Sequence, residues 1–188
     1  SSVNNASNGD ENVGIGEFAL AGLSNGEYNV GLGVSALGSI TTADNVVGIG
    51  RSAGTGAQTT SNSVYIGYQA TSPNGASLAV AIGSQPRACK WGVSIGTQAG
   101  GDTFSSNTST FNVLIGYRAG YEITGDDNTG IGPYALYNDS TSTAYSGDNN
   151  TCIGYKAIPS AIGVSNEITL GNSSVATLRC QVTSITAL

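Results

Sequence analysis

Five carboxylates in the second half of the chain form its most chemically capable group: Glu122, Asp126, Asp127, Asp139 and Asp148. A pair of Asp or Glu side chains can cleave glycosidic bonds, one as acid and the other as nucleophile or base. The sequence contains no histidine, which excludes Ser-His-Asp and Cys-His catalysis and the usual zinc hydrolase sites. Most of these acids stand in Gly-, Asn- and Ser-rich segments typical of turns. We therefore expect solvated turn residues and predict no catalytic residues and no enzyme activity.

Metal and cofactor chemistry finds no support in the sequence. Cys89, Cys152 and Cys180 are an odd number without CxxC spacing, which predicts free thiols. The acid-rich segment 124–130, TGDDNTG, lacks the GGxGxD calcium pattern and predicts a turn. We predict no metal and no cofactor.

Charge and hydropathy also limit the partners. Twelve acidic residues against six scattered basic ones give a net charge of −6, so no cationic stripe could follow a phosphate backbone. No apolar run reaches the roughly 18 to 20 residues of a membrane-spanning helix, and the N-terminal stretch is polar. Nucleic-acid binding and membrane insertion are therefore not expected.

The chain is built from tandem repeats. A glycine that follows Ile or Leu recurs at steps of 13 to 22 residues, most often 17: Gly16, Gly33, Gly50, Gly67, Gly83, Gly96, Gly116, Gly132, Gly154 and Gly171. A β-branched residue stands three positions before each, an alanine usually stands three positions after, and asparagine is frequent four positions before. β-branched residues suit strands. Asparagine at a fixed place in each repeat suits a turn cap or a ladder between coils.

The repeats predict an all-β, parallel β-solenoid of about ten coils. In a strand such as VGIG the Val and Ile point to one side and the glycine to the other. We expect the Val, Ile and Ala columns to point inward. The bare face at Gly14, Gly31, Gly48 and Gly130 would then allow a neighbouring chain to approach. Helical repeats are excluded by the spacing and the glycine content.

The unit NVxIGxxA, seen in NVGIGEFAL, YNVGLGVSAL and NVLIGYRAG, resembles the head repeats of trimeric autotransporter adhesins and similar repeats in bacteriophage tail fibres. The resemblance covers about residues 11–175. It implies a left-handed β-roll or β-helix and a parallel homotrimer.

Residues 166–188, NEITLGNSSVATLRCQVTSITAL, are similar to the segment that precedes the self-cleaving intramolecular chaperone of phage tail fibres and tailspikes. The resemblance implies that Leu188 marks the cleavage point and that the chaperone assists assembly. We expect a lead-in at 1–10, the repeat solenoid at 11–165 and a capping segment of extended strands at 166–188. The location expected is the tail fibre of the virion.

Two segments longer than the norm, 101–111 and 137–148, offer candidate contacts to a host-surface glycan or protein. They combine aromatic rings with amide and carboxylate groups that suit sugars: Phe104, Phe111, Tyr137, Asn138, Asp139, Tyr145 and Asp148. Packing of these aromatics onto the coil is an equal alternative. For Trp91, and for Tyr68, Tyr117 and Tyr155 after the repeat glycines, packing is the favoured interpretation, with Trp91 as a plug.

The function predicted is that of a structural and receptor-binding segment of a phage tail fibre. A bacterial trimeric adhesin head and a glycan-cleaving tailspike are the alternatives.

Overall fold

Ten short strands stack in chain order into one parallel sheet. The computed structural model describes residues 11–101, 109–137 and 144–177. The strands are β1 (Val13–Ile15), β2 (Val30–Leu32), β3 (Val46–Ile49), β4 (Ser63–Ile66), β5 (Val80–Ile82), β6 (Val93–Ile95), β7 (Val113–Ile115), β8 (Thr129–Ile131), β9 (Thr151–Ile153) and β10 (Ile168–Leu170). Each repeat contributes one strand and one turn of a β-solenoid. The predicted all-β parallel solenoid is confirmed.

The strands pair in the register predicted by aligning the repeats on their glycines. Val13 pairs with Val30, Gly14 with Gly31 and Ile15 with Leu32, and the same columns continue to β10. The other sides of each coil are also linked: Leu20 N donates to Ala36 O at 3.0 Å, and Leu37 N to Ala53 O at 2.8 Å. In the described parts of the chain no helix is long and apolar enough to cross a membrane.

The expected capping segment begins as a further coil. Ile168–Leu170 pairs with β9 in the repeat register. The lead-in at 1–10 and the end of the predicted cap at 178–188 lie outside the described residues. Whether the end of the chain caps the solenoid therefore stays a prediction.

The faces of the strands are the reverse of what the sequence indicated. The alanine column is buried as predicted, from Ala19 to Ala157. The Val and Ile columns, however, point outward: Val13 is 48% exposed and Ile15 is 56% exposed. All twenty residues of these two columns are exposed or half-buried. The expectation that they point inward is wrong, and the glycine face is the inner one.

The narrow interior explains this reversal. A Cβ added to Gly14 would lie 3.3 Å from Leu20 Cδ1, and one added to Gly130 would lie 3.0 Å from Leu136 Cδ1. One leucine from the far side of the coil therefore fills the space beside the strand. In β7 the sizes are exchanged, since Leu114 points inward toward Gly120. Beside the strands, a large side chain on one side of the coil faces glycine on the other, and the β-branched pairs are left outside.

Buried asparagines connect successive coils. Asn128 N donates to Asn112 Oδ1 at 2.8 Å, Asn128 Nδ2 donates to Gly147 O at 2.9 Å, and Asn150 N donates to Asn128 Oδ1 at 2.9 Å. Asn12 and Asn29 make the same contacts near the start of the solenoid. Of the two roles that the sequence left open for these asparagines, a turn cap or a ladder between coils, the structure shows the ladder, with gaps where the column holds Val46, Ser63, Ala79 and Gly92.

Replacing Asn128 by Ala is expected to lower the free energy of unfolding by about 2–6 kcal/mol. The change removes the partners of Gly147 O and Asn150 N, and an orphaned buried polar group costs roughly 1–3 kcal/mol. Thermal unfolding followed by circular dichroism, at one fixed protein concentration, measures the effect. Asn74→Ala is the matched control, because Asn74 also accepts hydrogen bonds but is exposed. Equal melting temperatures for the two variants would contradict a ladder that stabilises the fold.

Candidate functional site

The predicted receptor contacts lie in different environments. Phe111 is 52% exposed and stacks on Trp91, with ring centroids 4.8 Å apart. Tyr137 packs against other tyrosine rings. Tyr145 is only 3% exposed, and its hydroxyl donates to Ala161 O at 2.7 Å, so it packs inside the coil. Four residues of the prediction lie outside the described residues: Phe104, Asn138, Asp139 and Leu188.

Asp126 and Asp148 form part of a second ladder that runs along the solenoid. Thr110 N donates to Asp126 Oδ1 at 2.6 Å, and Asp126 N donates to Asp148 Oδ1 at 2.8 Å. Asp148 N in turn donates to Ser165 Oγ at 2.9 Å. Asp44, Ser61 and Ser77 repeat the arrangement in earlier coils. These carboxylates thus satisfy backbone N–H groups of neighbouring coils.

The remaining members of the carboxylate group do not extend this ladder. Glu122 is 8% exposed, and Asp127 N donates to Thr110 O at 3.1 Å. Asp127 has a φ of 56°, in the left-handed region, and forms a bend with Asp126, whereas Thr129 and Gly130 of the predicted turn 124–130 belong to β8. Across the described ranges no group of three or more His, Cys, Asp or Glu side chains is placed to hold a metal ion.

An aromatic and cationic group occupies the corner before the strands. Trp91 is 41% exposed and packs against Phe111 with an interplanar angle of 21°. The Lys90 Nζ lies 4.1 Å from the centroid of the Trp91 ring. The expectation that Trp91 is a buried plug is wrong. The residue sits at a corner position that every coil holds at positive φ, which directs its ring to the surface.

A larger group of rings occupies the corner after the strands, on the coils of β7, β8 and β9. We call it the tyrosine ridge; its members are Tyr117, Tyr121, Tyr134, Tyr137 and Tyr155. The centroids of neighbouring rings lie 5.0 to 6.2 Å apart, and three of the four pairs meet edge to face. Tyr117 is 40% exposed and Tyr155 is 54% exposed. The ridge therefore presents several ring faces to solvent at once.

Two cations lie on the ridge. The Arg118 guanidinium carbon lies 5.5 Å from the Tyr117 ring centroid and 5.3 Å from that of Tyr121. The Lys156 ammonium lies 5.9 Å from the Tyr134 centroid and 5.6 Å from that of Tyr155. Arg118 Nε donates to Gln98 Oε1 at 2.7 Å, which fixes the guanidinium. Within the described part of the chain neither cation pairs with a carboxylate.

The surroundings of the central ring of the ridge disfavour its ionised form. Desolvation and the nearby Tyr117 phenol raise the pKa of Tyr134 above its ordinary value, although Arg118 acts in the opposite direction. As for any tyrosine at neutral pH, its hydroxyl is protonated and can donate a hydrogen bond. Tyr134, Tyr137, Lys156 and Ile158 line a cleft of about 110 Å³ beside it. The cleft offers an apolar wall with one cation at its edge.

The described cysteines are chemically quiet. Cys89 and Cys152 are free and buried, as the spacing predicted, and Cys180 lies outside the described residues. Burial raises the pKa of the Cys152 thiol to about 11 and also raises that of Cys89. Neither thiol is ionised at neutral pH, so both act as small core side chains.

Sequence reasoning did not find the tyrosine ridge as a unit. Its members stand one, two or five positions after a repeat glycine, and Arg118 and Lys156 share the second of these positions. The alignment of the repeats contained that signal. The long loops, rather than the corners of the coils, were predicted to bind the receptor, so this signal was not used.

Comparison of the chain with protein-family models, with curated proteins and with solved structures finds no match.

Proposed function

We propose that this chain is the structural and receptor-binding part of a phage tail fibre and attaches to the surface of a host cell. The carrying observation is the pair of outward Val and Ile columns on a rigid solenoid whose corners also present exposed aromatic rings. The resemblance of the repeats and of residues 166–188 to tail-fibre segments supplies the setting, including the virion location and the cleaved chaperone. Attachment requires a rod and a binding surface, and both features suit it.

The assembly in this proposal is a parallel homotrimer. Ten strands expose twenty outward residues, of which eighteen are Val, Ile or Leu and two are Thr. Contiguous apolar surface of this kind marks an interaction site. Further copies in parallel would bring identical columns together over the full length, as a closed symmetric interface requires. The face that associates is the Val and Ile face, whereas the sequence had favoured the glycine face.

The corner aromatics support glycan binding in particular. Tyr and Trp rings combine an apolar face with a polar edge, and sugars present both kinds of surface. Three copies on one rod would bind a cell surface with avidity even where each contact is weak. The proposal needs no catalysis.

A glycan array probed with the purified, fluorescently labelled assembly tests the attachment function. We expect a small set of related oligosaccharides to bind and to remain intact, as judged by the absence of new reducing ends. The same protein unfolded by heat is the control. No binding to any glycan or to bacterial cell-surface preparations would contradict attachment, and release of reducing ends that Asp126→Asn abolishes would favour the glycan-cleaving alternative.

A further inference from the structure

We propose that the tyrosine ridge, with Arg118 and Lys156, is a binding site for an acidic oligosaccharide that lies along the axis of the solenoid. This inference rests on the proposed attachment function and names both a site and a ligand class for it. The residues are on the surface in the described structure and are distinct from the loops that the sequence indicated.

Most of the described cations lie over aromatic rings. Of the five described Lys and Arg residues, four lie over aromatic rings: Arg51 over Tyr68, Lys90 over Trp91, and the two cations of the ridge. Elsewhere on an acidic protein surface a cation would find carboxylates nearby. Here Arg118 and Lys156 keep their charge available, because a ring does not neutralise a cation as a carboxylate does.

The two cations of the ridge are spaced along the axis of the solenoid. Arg118 and Lys156 occupy the same position two coils apart, with Tyr134 at that position in the coil between them. Neighbouring parallel strands are about 4.8 Å apart, so the two positions are separated by about 10 Å along the axis. Rings lie between and beside the cations. A polymer of sugars with acid groups at intervals could stack on the rings and place its carboxylates on the two cations.

The charge of the protein directs an acidic ligand to the ridge. The chain has a net charge of −6, so an acidic ligand is repelled by most of the surface and attracted to cations such as Arg118 and Lys156, which pair with no carboxylate among the described residues. The Arg118 guanidinium is held by Gln98 through Nε, and its terminal nitrogens remain able to form a bidentate contact with a carboxylate. A neutral sugar would gain only the ring contacts.

Substitutions that the solenoid already accepts test the site. Gln69, Gln85 and Gln98 occupy the position of Arg118 and Lys156 in other coils, with φ of 51° to 56°, close to the 53° and 51° of the two cations. Arg118→Gln combined with Lys156→Gln should therefore fold normally. Arg51→Gln removes one cation outside the ridge and serves as the control. Tyr117→Ser combined with Tyr155→Ser removes two rings, and Ser84 shows that serine fits at their position.

The experiment measures binding to polygalacturonate, hyaluronate and polysialic acid, each beside a form whose carboxyls are esterified or reduced. Melting temperature and assembly mass are measured for each variant to establish the fold. We expect the wild-type protein to bind at least one acidic polymer and not its neutral form, with affinity that falls as salt is raised. The double Gln variant should lose at least tenfold in affinity, the double Ser variant should also weaken, and Arg51→Gln should be unchanged.

Three results would overturn the proposal: no binding to any of the three acidic polymers, equal binding to their neutral forms, or unchanged affinity in a folded double Gln variant. Binding of the wild-type protein to neutral glycans on the array, unaffected by the double Gln change, would leave attachment standing and remove the ridge as its site. Absence of binding to all glycans and cells would instead remove the attachment function itself.

Discussion

Gly67→Ala is expected to prevent the protein from folding. Gly67 has a φ of 121°, which L side chains rarely adopt, and a Cβ at this position would overlap the carbonyl oxygen of Gly83 in the next coil. Backbone strain alone costs roughly 1–3 kcal/mol. The overlap adds to this cost, because both groups belong to stacked backbones that cannot separate without breaking the hydrogen bonds between β4 and β5. We expect insoluble protein or a melting transition that is absent.

Gly75→Ala provides the control for this prediction. Gly75 also has a positive φ, 79°, but a Cβ there meets no heavy atom within 4 Å. The cost should be limited to strain of roughly 1–3 kcal/mol, and the variant should fold with a lowered melting temperature. A Gly67→Ala protein that melts at the temperature of Gly75→Ala would contradict the close stacking of the glycine turns.

Glutamate on the outer face should greatly weaken assembly, because the changed side chains point away from the core. Ile66 and Ile115 lie in the outward Ile column and are half-buried by their neighbours. In the proposed trimer each Ile→Glu change would bury three unpaired carboxylates, and each such group costs several kcal/mol. We expect the double Glu variant to associate at least about a thousandfold more weakly, which corresponds to about 4 kcal/mol.

A milder variant keeps the prediction testable if the Glu variant does not fold. Ile66→Thr combined with Ile115→Thr keeps β-branched side chains, and Thr129 and Thr151 already occupy the outward Val column. It should fold and associate with reduced affinity. A double Glu variant with the wild-type assembly mass would show that another surface joins the chains.

The sequence predicted the repeat, the strands and their register because these follow from local spacing. The ten glycines marked each coil, and Val13, Val30 and their equivalents did pair as aligned. Alternation within a strand shows that its two faces differ, but it does not show which face is inside. That choice depended on Leu20 and Leu37, which reach across the coil to the glycine face. These leucines reach the glycine face only when the coil is closed, so the contact does not follow from the spacing within one strand.

The proposed binding surface was less accessible to sequence reasoning for a related reason. Tyr117, Tyr134 and Tyr155 are separated by about twenty residues along the chain and become neighbours only when coils of unequal length stack. Trp91 and Phe111 meet in the same way across the insertion between β6 and β7. By contrast, Asp126 and Asp148 were expected to be solvated turn residues, and the fold uses both as acceptors for backbone N–H groups of neighbouring coils.

The proposed attachment rod depends on one physical requirement, that other copies of the chain cover the Val and Ile face. Sedimentation equilibrium of the wild-type protein at micromolar concentration measures this directly. The account predicts the mass of three chains, stable on dilution and insensitive to salt, because the buried surface is apolar. A folded species with the mass of one chain would leave the outward columns in water and would contradict the trimeric assembly.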